Sequence, residues 1–306
     1  MDAIRVEGLT KTYGAQRAVD DLSFTARQGA VTGFLGPNGA GKTTTLRVLL
    51  GLAVPTAGTA TIGGRPYRRL TQPIREVGAV IEGSGFHPGR SARNHLRAMA
   101  AAAALPDRRA DEVLGQVGLS EAAGRRAGGF SFGMGQRLAL ASALLGDPAV
   151  LILDEPANGL DPAGIHWLRA FLRGLADEGR TVLMSSHVLA EVAQTADDVV
   201  IIARGRLVTE SSVATLTERA RRDVRVRSPQ AHRLAGALRT QGIGVEVTKN
   251  DELAVNGTTT EAVGELAAAQ GIVLHELSTD RSSLEDVFLE LTASAGVAGD
   301  GATAPG

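Results

Sequence analysis

A glycine-rich loop near the start of the sequence restricts this chain to a small group of folds. The loop matches the pattern G-x-x-x-x-G-K-[ST] and reads Gly36-Pro37-Asn38-Gly39-Ala40-Gly41-Lys42-Thr43. An apolar run at residues 30–35 predicts a strand before it, and a helix is predicted from about Lys42 to Gly51. Such a loop can surround phosphate oxygens with backbone N–H groups and with the positive end of the helix dipole. The sequence therefore predicts a phosphate-binding P-loop in an α/β fold.

The residues at the end of this loop carry the chemistry of the predicted phosphate site. Lys42 can reach the β- and γ-phosphates of a nucleotide, and the Thr43 hydroxyl can ligate Mg²⁺, with Thr44 beside it. The alternative is a surface lysine in an ordinary glycine-rich turn. However, 29 of the 32 basic residues are arginine, and lysine occurs only at Lys11, Lys42 and Lys249. We therefore assign Lys42 to nucleotide binding and to catalysis.

A second apolar run ends in two acidic residues. Residues 150–153 read Val-Leu-Ile-Leu and are followed by Asp154 and Glu155. In a parallel sheet the carboxyl ends of the strands line the ligand crevice. We expect Asp154 to hold the Mg²⁺ shell and Glu155 to act on the water that attacks the γ-phosphate. Apolar runs at residues 181–185 and 199–202, separated by helical segments, complete a predicted parallel sheet covered by helices.

Three short motifs resemble one family of P-loop enzymes. Residues 130–138 read FSFGMGQRL at the place where ABC proteins carry the signature L-S-G-G-Q. Residues 158–162 (NGLDP) resemble the D-loop, and residues 185–187 (SSH) resemble the switch-histidine segment. Together these motifs resemble the nucleotide-binding subunit of an ABC transporter, over about residues 2–210. The resemblance implies the P-loop NTPase fold of the ABC ATPases, with an antiparallel β subdomain and a helical signature subdomain.

The resemblance also implies how ATP is bound and cleaved. Ser131 and Gly133 of the signature are expected to act on ATP held by a partner subunit, which implies a homodimer or heterodimer, and Asp161 of the D-loop is expected in the same nucleotide site. His187 is expected to contact the γ-phosphate and to orient Glu155 and the water. Tyr13 fits the aromatic residue on which the family stacks adenine. The implied activity is hydrolysis of ATP with Mg²⁺, coupled to transport by a separate transmembrane permease.

Two departures from the general family pattern narrow the branch. The signature has Phe132 for its first glycine and Met134 for its glutamine, and Glu82 stands where the family has a Q-loop glutamine. Both variants resemble the branch that exports antibiotics and drugs. A carboxylate at this position offers the metal a charged oxygen, so Glu82 is expected to ligate Mg²⁺ together with Thr43 and Asp154.

The C-terminal part of the chain predicts a second, smaller domain. Residues 223–292 follow the order βαββαβ of a ferredoxin-like α+β fold, with the last strand at residues 273–277 and a final helix at residues 283–292. This segment is similar to the accessory domain of the drug-exporting branch. Residues 211–222 are expected to link it to the ATPase domain at residues 2–210. The tail at residues 293–306 is rich in glycine and alanine and is expected to be disordered.

Composition limits the partners and the compartment. A net charge of −1 gives no basic field for nucleic acid, so no nucleic-acid partner is expected. The sequence has no cysteine, which excludes disulfides. No secretory signal is recognised, and the longest uncharged apolar stretch, residues 98–105, is far shorter than the ~20 residues of a membrane-spanning helix. We therefore expect a cytoplasmic protein, peripheral at the inner face of the cell membrane through its permease.

Two other functions compete with transport. A soluble ABC-type ATPase acting on the ribosome or on nucleic acid needs no permease. However, ribosome-acting relatives usually carry two cassettes in one chain, and the sequence lacks the heptad run of DNA-repair relatives. A GTPase is the second alternative, because residues 248–251 (TKND) match the guanine-reading pattern [NT]-K-x-D. That tetrapeptide falls in a predicted hairpin beyond the linker, where a coincidental turn sequence would look the same.

Overall fold

A computed structural model describes residues 2–81, 85–220, 223–249, 251–280, 288–289 and 292. The chain forms two compact units, Met1–Val213 and Ala214–Glu290. The described elements of the first unit are, in chain order, β1 (Asp2–Tyr13), β2 (Gln16–Arg27), β3 (Val31–Leu35), α1 (Lys42–Leu49), β4 (Ala57–Ile62), α2 (Pro73–Glu76), β5 (Val77–Val80), α3 (Ala92–Ala102), α4 (Arg108–Gln116), α5 (Phe132–Leu144), β6 (Val150–Leu153), α6 (Pro162–Asp177), β7 (Thr181–Ser186), α7 (Leu189–Ala193), β8 (Asp198–Ala203) and β9 (Arg206–Ser212).

The central sheet of the first unit positions the predicted site residues. Its strand order is β5-β6-β7-β3-β8-β9, and β3 pairs in parallel with both β7 and β8. β3, β6 and β7 are buried along their whole length, which explains why the sequence shows them as continuous apolar runs. Because parallel strands end at the same edge of a sheet, the loops that follow β3, β6 and β7 come together.

A second sheet of the first unit is antiparallel, in the order β2-β1-β4. It shares one apolar core with the parallel sheet, and the rings of Phe24 on β2 and Phe34 on β3 stack with centroids 5.0 Å apart. Leu46 and Leu49 of α1 belong to the same core. This packing fixes β1 and β2 beside the loop that joins β3 to α1.

Helices α3, α4 and α5 pack against one another and form the helical part of the first unit. Their buried side chains include Leu96, Leu114 and Leu138. The parallel sheet, the antiparallel sheet and this helical part confirm the predicted architecture, an α/β unit with an antiparallel β subdomain and a helical subdomain. Strands β4, β5 and β9 are additions that the sequence patterns did not predict.

The second unit follows the predicted order βαββαβ. After α8 (Val213–Ala220) at the boundary, its described elements are β10 (Asp223–Arg227), α9 (Ala231–Thr240), β11 (Gly244–Lys249), β12 (Glu252–Asn256), α10 (Thr260–Ala269) and β13 (Glu276–Asp280). The sheet order is β11-β12-β10-β13, with every pair antiparallel. Val226, Leu234, Leu253 and Val263 are fully buried in its core, which confirms a small α+β fold.

The last strand of the second unit was predicted at the wrong residues. The prediction used the apolar residues 273–277, whereas β13 spans Glu276–Asp280. Val273 is apolar but 57% exposed, and its N–H bonds to the side chain of Gln230 rather than to a strand. Apolar character alone therefore placed the strand three residues too early. Residues 283–287, which begin the predicted final helix, and the tail at residues 293–306 lie outside the described residues.

Candidate functional site

The loop between β3 and α1 lies tightly against two other strands. A Cβ atom added to Gly36 would lie 2.5 Å from the carbonyl oxygen of Ile202, and one added to Gly41 would lie 2.5 Å from that of Ala18. Gly41 also has φ +104°, a conformation that L-residues rarely adopt. Gly36 lets the loop pass close to β8, and Gly41 lets the backbone turn at the start of α1, where helix N–H groups are free to bind anions.

The Lys42 side chain lies inside this loop and is 6% exposed. Its Nζ donates to the carbonyl oxygen of Gly36 at 2.6 Å and lies 3.3 Å from Oε1 of Glu155. The ammonium group therefore sits between the phosphate loop and the first residues after β6. A cation held there can act on the terminal phosphates of a nucleotide.

Asp154 lies at the end of β6 and is buried. Its Oδ2 accepts a hydrogen bond from the Thr43 hydroxyl at 2.8 Å, and its Oδ1 accepts one from the Ser185 hydroxyl. Within the described parts of the chain, no cationic side chain forms an ion pair with Asp154. A buried carboxylate normally needs a compensating cation, and a carboxylate beside a hydroxyl suits Mg²⁺. Thr43 and Asp154 therefore fit the predicted magnesium site.

The protein alone offers few metal ligands at this position. The described residues contain no group of three or more His, Asp or Glu side chains that could hold an ion. Mg²⁺ usually takes one or two protein ligands and completes its octahedron with water and substrate phosphates, which agrees with a Thr43–Asp154 pair. Glu82, predicted as the third ligand, lies outside the described residues.

Glu155 is held from three sides. His187 Nδ1 lies 2.9 Å from Oε2, Lys42 Nζ lies 3.3 Å from Oε1, and the backbone N–H donates to the Ser185 hydroxyl at 2.8 Å. Its φ of 46° places it in the left-handed region, which is uncommon for a residue other than glycine. Backbone strain of this kind persists where the surroundings enforce it and is concentrated at functional sites. The carboxylate is thereby presented at the edge of the sheet.

Ser185 is a functional residue that the sequence analysis missed. It is fully buried at the end of β7, where its hydroxyl donates to Asp154 and accepts from the Glu155 backbone. Its hydroxyl thus bonds to both acidic residues that follow β6. The signal was present in the sequence, because a serine that continues an apolar strand must find buried hydrogen-bond partners. The sequence pattern at residues 185–187 was interpreted only through His187.

Most predicted nucleotide-site residues share one cavity of about 640 Å³. Its volume lies in the usual range for small-ligand sites. Tyr13 is 48% exposed at the cavity, and Arg17 and Arg204 add two cationic side chains that were not predicted. The predicted residues that line it are Tyr13, Asn38, Gly39, Ala40, Gly41, Lys42, Thr43, Thr44, Glu155 and His187.

The signature and D-loop residues begin two helices. The Ser131 hydroxyl caps α5 by accepting from the Met134 N–H at 3.3 Å, so its own proton remains available to a ligand. Asp161 caps α6 by accepting from the Gly164 N–H at 2.8 Å. Ser131, Gly133 and Asp161 line a separate cavity of about 1000 Å³. Ser131 also lines an 800 Å³ cavity with Thr43, Asp154 and Glu155.

Arg137 of the signature segment stacks on α6. Its guanidinium carbon lies 3.9 Å from the centroid of the Trp167 ring, and Nη1 donates to the carbonyl oxygen of Val117. Burial lowers the pKa of Arg137, and the nearby Asp161 carboxylate opposes that change. An arginine remains charged under these conditions, so a cation on α5 contacts an aromatic ring on α6.

The tetrapeptide that suggested a GTPase lies in the second unit. Thr248 and Lys249 end β11, Asp251 precedes β12, and Asn250 lies outside the described residues. The carbonyl oxygen of Asp251 accepts a hydrogen bond from the Ser228 N–H at 2.8 Å. The segment therefore belongs to the hairpin of the ferredoxin-like unit.

No helix of the described residues combines the length and the apolar composition that crossing a membrane requires.

Comparison with known proteins relates the chain to transport ATPases. Residues 19–158 match the family described as ABC transporter, and residues 222–285 match a domain of unknown function. The bacitracin transport ATP-binding protein BcrA of Bacillus licheniformis is 38% identical over 296 residues, covering 94% of this chain and 96% of that protein. The lantibiotic transport ATP-binding protein SrtF of Streptococcus pyogenes is 35% identical over 207 residues, covering 68% of this chain and 90% of that protein. The protein cbiO1 from Clostridium perfringens is part of the ABC transporter complex cbiONQ. Its structure gives a TM-score of 0.65 at 25% identity, covering 79% of this chain and 97% of that chain.

Proposed function

This chain belongs to the ABC transporter family as an ATP-hydrolysing, ATP-binding subunit, and from that premise we propose that it drives export of an antibiotic or a similar small molecule through a separate permease. The observation that carries this proposal is the length of the similarity to a bacitracin transport protein. It covers 94% of this chain and so includes the second unit as well as the ATPase. A function in ribosome or nucleic-acid work gains no comparable support.

The proposed mechanism assigns a task to each group at the sheet edge. The backbone N–H groups of the phosphate loop and Lys42 bind the β- and γ-phosphates. Glu155 accepts a hydrogen bond from the attacking water, and His187 keeps the carboxylate aimed at that water. Thr43 and Asp154 would hold Mg²⁺, with Glu82 as the proposed third ligand, and the ion would neutralise charge on the phosphates.

The second half of each nucleotide site is proposed to come from another ATP-binding subunit. The Ser131 hydroxyl and the N–H groups at the start of α5, near Gly133, form an anion site. One chain carries one such site and one phosphate loop, so two chains facing each other complete two sites. Asp161 begins the neighbouring helix and is proposed to contact the shared interface. The partner is either a second copy or a related subunit.

The proposed permease gives the chain its place in the cell, at the inner face of the membrane. The ATPase domain is proposed at residues 2–210, with a linker at residues 211–222. Residues 223–292 form the proposed accessory domain, and the tail at residues 293–306 lies outside the described residues. Tyr13 is proposed to stack on the adenine ring, because it is exposed beside the phosphate loop in the same cavity.

Export is tested by expressing the chain with a membrane permease from neighbouring genes in a bacterium that bacitracin kills. We expect a raised inhibitory concentration for bacitracin or another peptide antibiotic, and no increase with the Lys42→Ala variant, because transport requires hydrolysis. ATPase activity of the purified pair is measured in parallel. Intact ATPase activity with unchanged susceptibility to a panel of peptide antibiotics would refute the export proposal while leaving the ATPase assignment untouched.

A further inference from the structure

Lys11 lies against the ring of Tyr13. Its Nζ is 4.6 Å from the ring centroid, a distance at which a cation is attracted by the electrons of the ring face. Both residues belong to β1, whose last residue is Tyr13. Lysine is rare in this chain, yet Lys11 contacts the Tyr13 ring and Lys42 lies in the phosphate loop.

The Tyr13 ring is also part of the wall of the nucleotide-sized cavity. Since it is 48% exposed, about half of its surface remains accessible with Lys11 in contact. An exposed aromatic side chain is otherwise free to move between rotamers, and ordering it on ligand binding costs free energy. The contact with Lys11 reduces this cost because it holds the ring before a ligand arrives.

We infer that Lys11 is a positioning residue for the nucleotide base, which it serves by fixing the Tyr13 ring and leaving the opposite ring face to a purine. A cation on one face draws electron density from the ring, which favours stacking of an electron-rich base on the other face. This inference rests on the proposed stacking role of Tyr13. The inference adds Lys11 to the proposed nucleotide site as a residue that acts on the base through Tyr13.

The test measures equilibrium binding of ATP and of inorganic tripolyphosphate, both with Mg²⁺, to the full-length chain. Lys11→Met keeps the length of the side chain and removes its charge. We expect it to weaken ATP binding by about two- to five-fold, the range for an exposed cation–π contact. Tripolyphosphate binding should not change, because that ligand has no base. Lys11→Arg keeps a cation over the ring and should restore ATP binding to within about twofold of the wild type.

Tyr13→Ala supplies the second arm of the experiment. In that background Lys11→Met should have no further effect on ATP binding, because the ring through which Lys11 acts is gone. Thermal melting of each variant checks that the fold is retained. Equal weakening of ATP and tripolyphosphate by Lys11→Met would overturn the inference in favour of a direct attraction to phosphate.

The remaining outcomes separate the inference from the function on which it rests. If Tyr13→Ala weakens ATP binding but Lys11→Met does not, the inference about Lys11 is wrong and the stacking role of Tyr13 stands. If Tyr13→Ala leaves ATP binding unchanged, the stacking role fails and the inference fails with it. In steady-state kinetics, Lys11→Met should raise KM for ATP and leave kcat unchanged, since Lys11 touches no reacting atom.

Discussion

His187 Nδ1 lies 2.9 Å from Oε2 of Glu155. The residue immediately after β7 therefore contacts the carboxylate that follows β6. The other carboxylate oxygen lies 3.3 Å from Lys42 Nζ. The same acidic side chain is therefore oriented by one neighbouring strand and reached by the phosphate loop. This arrangement makes Glu155 the residue whose replacement separates nucleotide binding from hydrolysis most cleanly.

Glu155→Gln should bind ATP and lose at least about 100-fold in turnover, because the amide keeps the shape of the side chain and cannot accept the proton of the attacking water. Gel filtration with Mg-ATP should then show two chains held together. Glu178→Gln, at an exposed site after α6, is the matched control and should behave like the wild type. Native turnover in the Glu155 variant would show that another group acts on the water.

Ser185→Ala should reduce both stability and turnover. The change leaves a buried Asp154 oxygen and the Glu155 N–H without their shared partner, and each unsatisfied buried group costs about 1–3 kcal/mol. Urea unfolding measures the loss of stability, and steady-state hydrolysis measures the displacement of the acidic pair. Ser186→Ala removes a hydroxyl that accepts locally from the Val188 N–H and should have the smaller effect on turnover. Equal effects of the two variants on turnover would argue against a bridging role for Ser185.

Two glycines of the phosphate loop should tolerate alanine to different degrees. Gly39 has φ +78° with open space around the added Cβ, so Gly39→Ala should cost only the conformational strain, about 1–2 kcal/mol. Gly41→Ala adds a contact of 2.5 Å with the carbonyl oxygen of Ala18 and should cost more. Unfolding in urea and ATP binding are measured for both. Equal losses would mean that the loop moves freely away from β2.

Mixing two inactive variants should restore hydrolysis if Ser131 acts on the nucleotide of a partner. A dimer of one Lys42→Ala chain and one Ser131→Arg chain has one site damaged twice and one intact site. Random association should then return about a quarter of the wild-type rate. A titration of wild type with Lys42→Ala establishes whether a single intact site turns over. If it does and the mixture stays inactive, the two halves of the site belong to the same chain.

Stability should fall in mild acid because of His95. Burial on α3 lowers the pKa of His95, and the positive charge of Arg90 lowers it further. The unfolded chain therefore takes up a proton at a higher pH than the folded chain does, so stability is lost as pH falls below the ordinary histidine pKa. Urea midpoints at about pH 7.5 and about pH 5.5 measure this loss.

His95→Gln should make those two urea midpoints more nearly equal, since the group that titrates differently in the two states is gone. The exposed His166 provides the control, and His166→Gln should leave the difference between the midpoints as it is in the wild type. A His95 variant with the full wild-type difference would assign the acid sensitivity to other groups.

The sequence predicted the parts of the fold that are buried on both faces. β6 and β7 were recognised because buried parallel strands are continuous apolar runs. β4 (AGTATI) was not predicted because its residues are small and the first three are exposed. β9 was not predicted because it is an edge strand with no buried side chain. Their places in the sheets are set by neighbouring strands, which no local pattern records.

The residues of the candidate site, like the strands, were predicted only where a local sequence pattern records them. The phosphate loop, Asp154 and Glu155 could be predicted because each carries its chemistry within one short segment. Ser185 and Lys11 could not, since the role proposed for each depends on a neighbour. The pairing of β6 with β7 brings Ser185 to the acidic residues, and Lys11 lies against the Tyr13 ring. The domain boundaries stay predictions, and so do the roles of the site residues, which the variants above test.

The position of β3 in the middle of the parallel sheet has a consequence for synthesis on the ribosome. β3 leads into the phosphate loop, but its two neighbours, β7 and β8, are translated roughly 150 residues later. Until they emerge, a nascent chain has no sheet in which to fix the loop, whose N-terminal glycine bonds to the last residue of β7. A chain stalled before residue 181 should therefore fail to retain ATP. The ferredoxin-like unit, whose strand partners all lie close together in sequence, can fold as soon as it has been made.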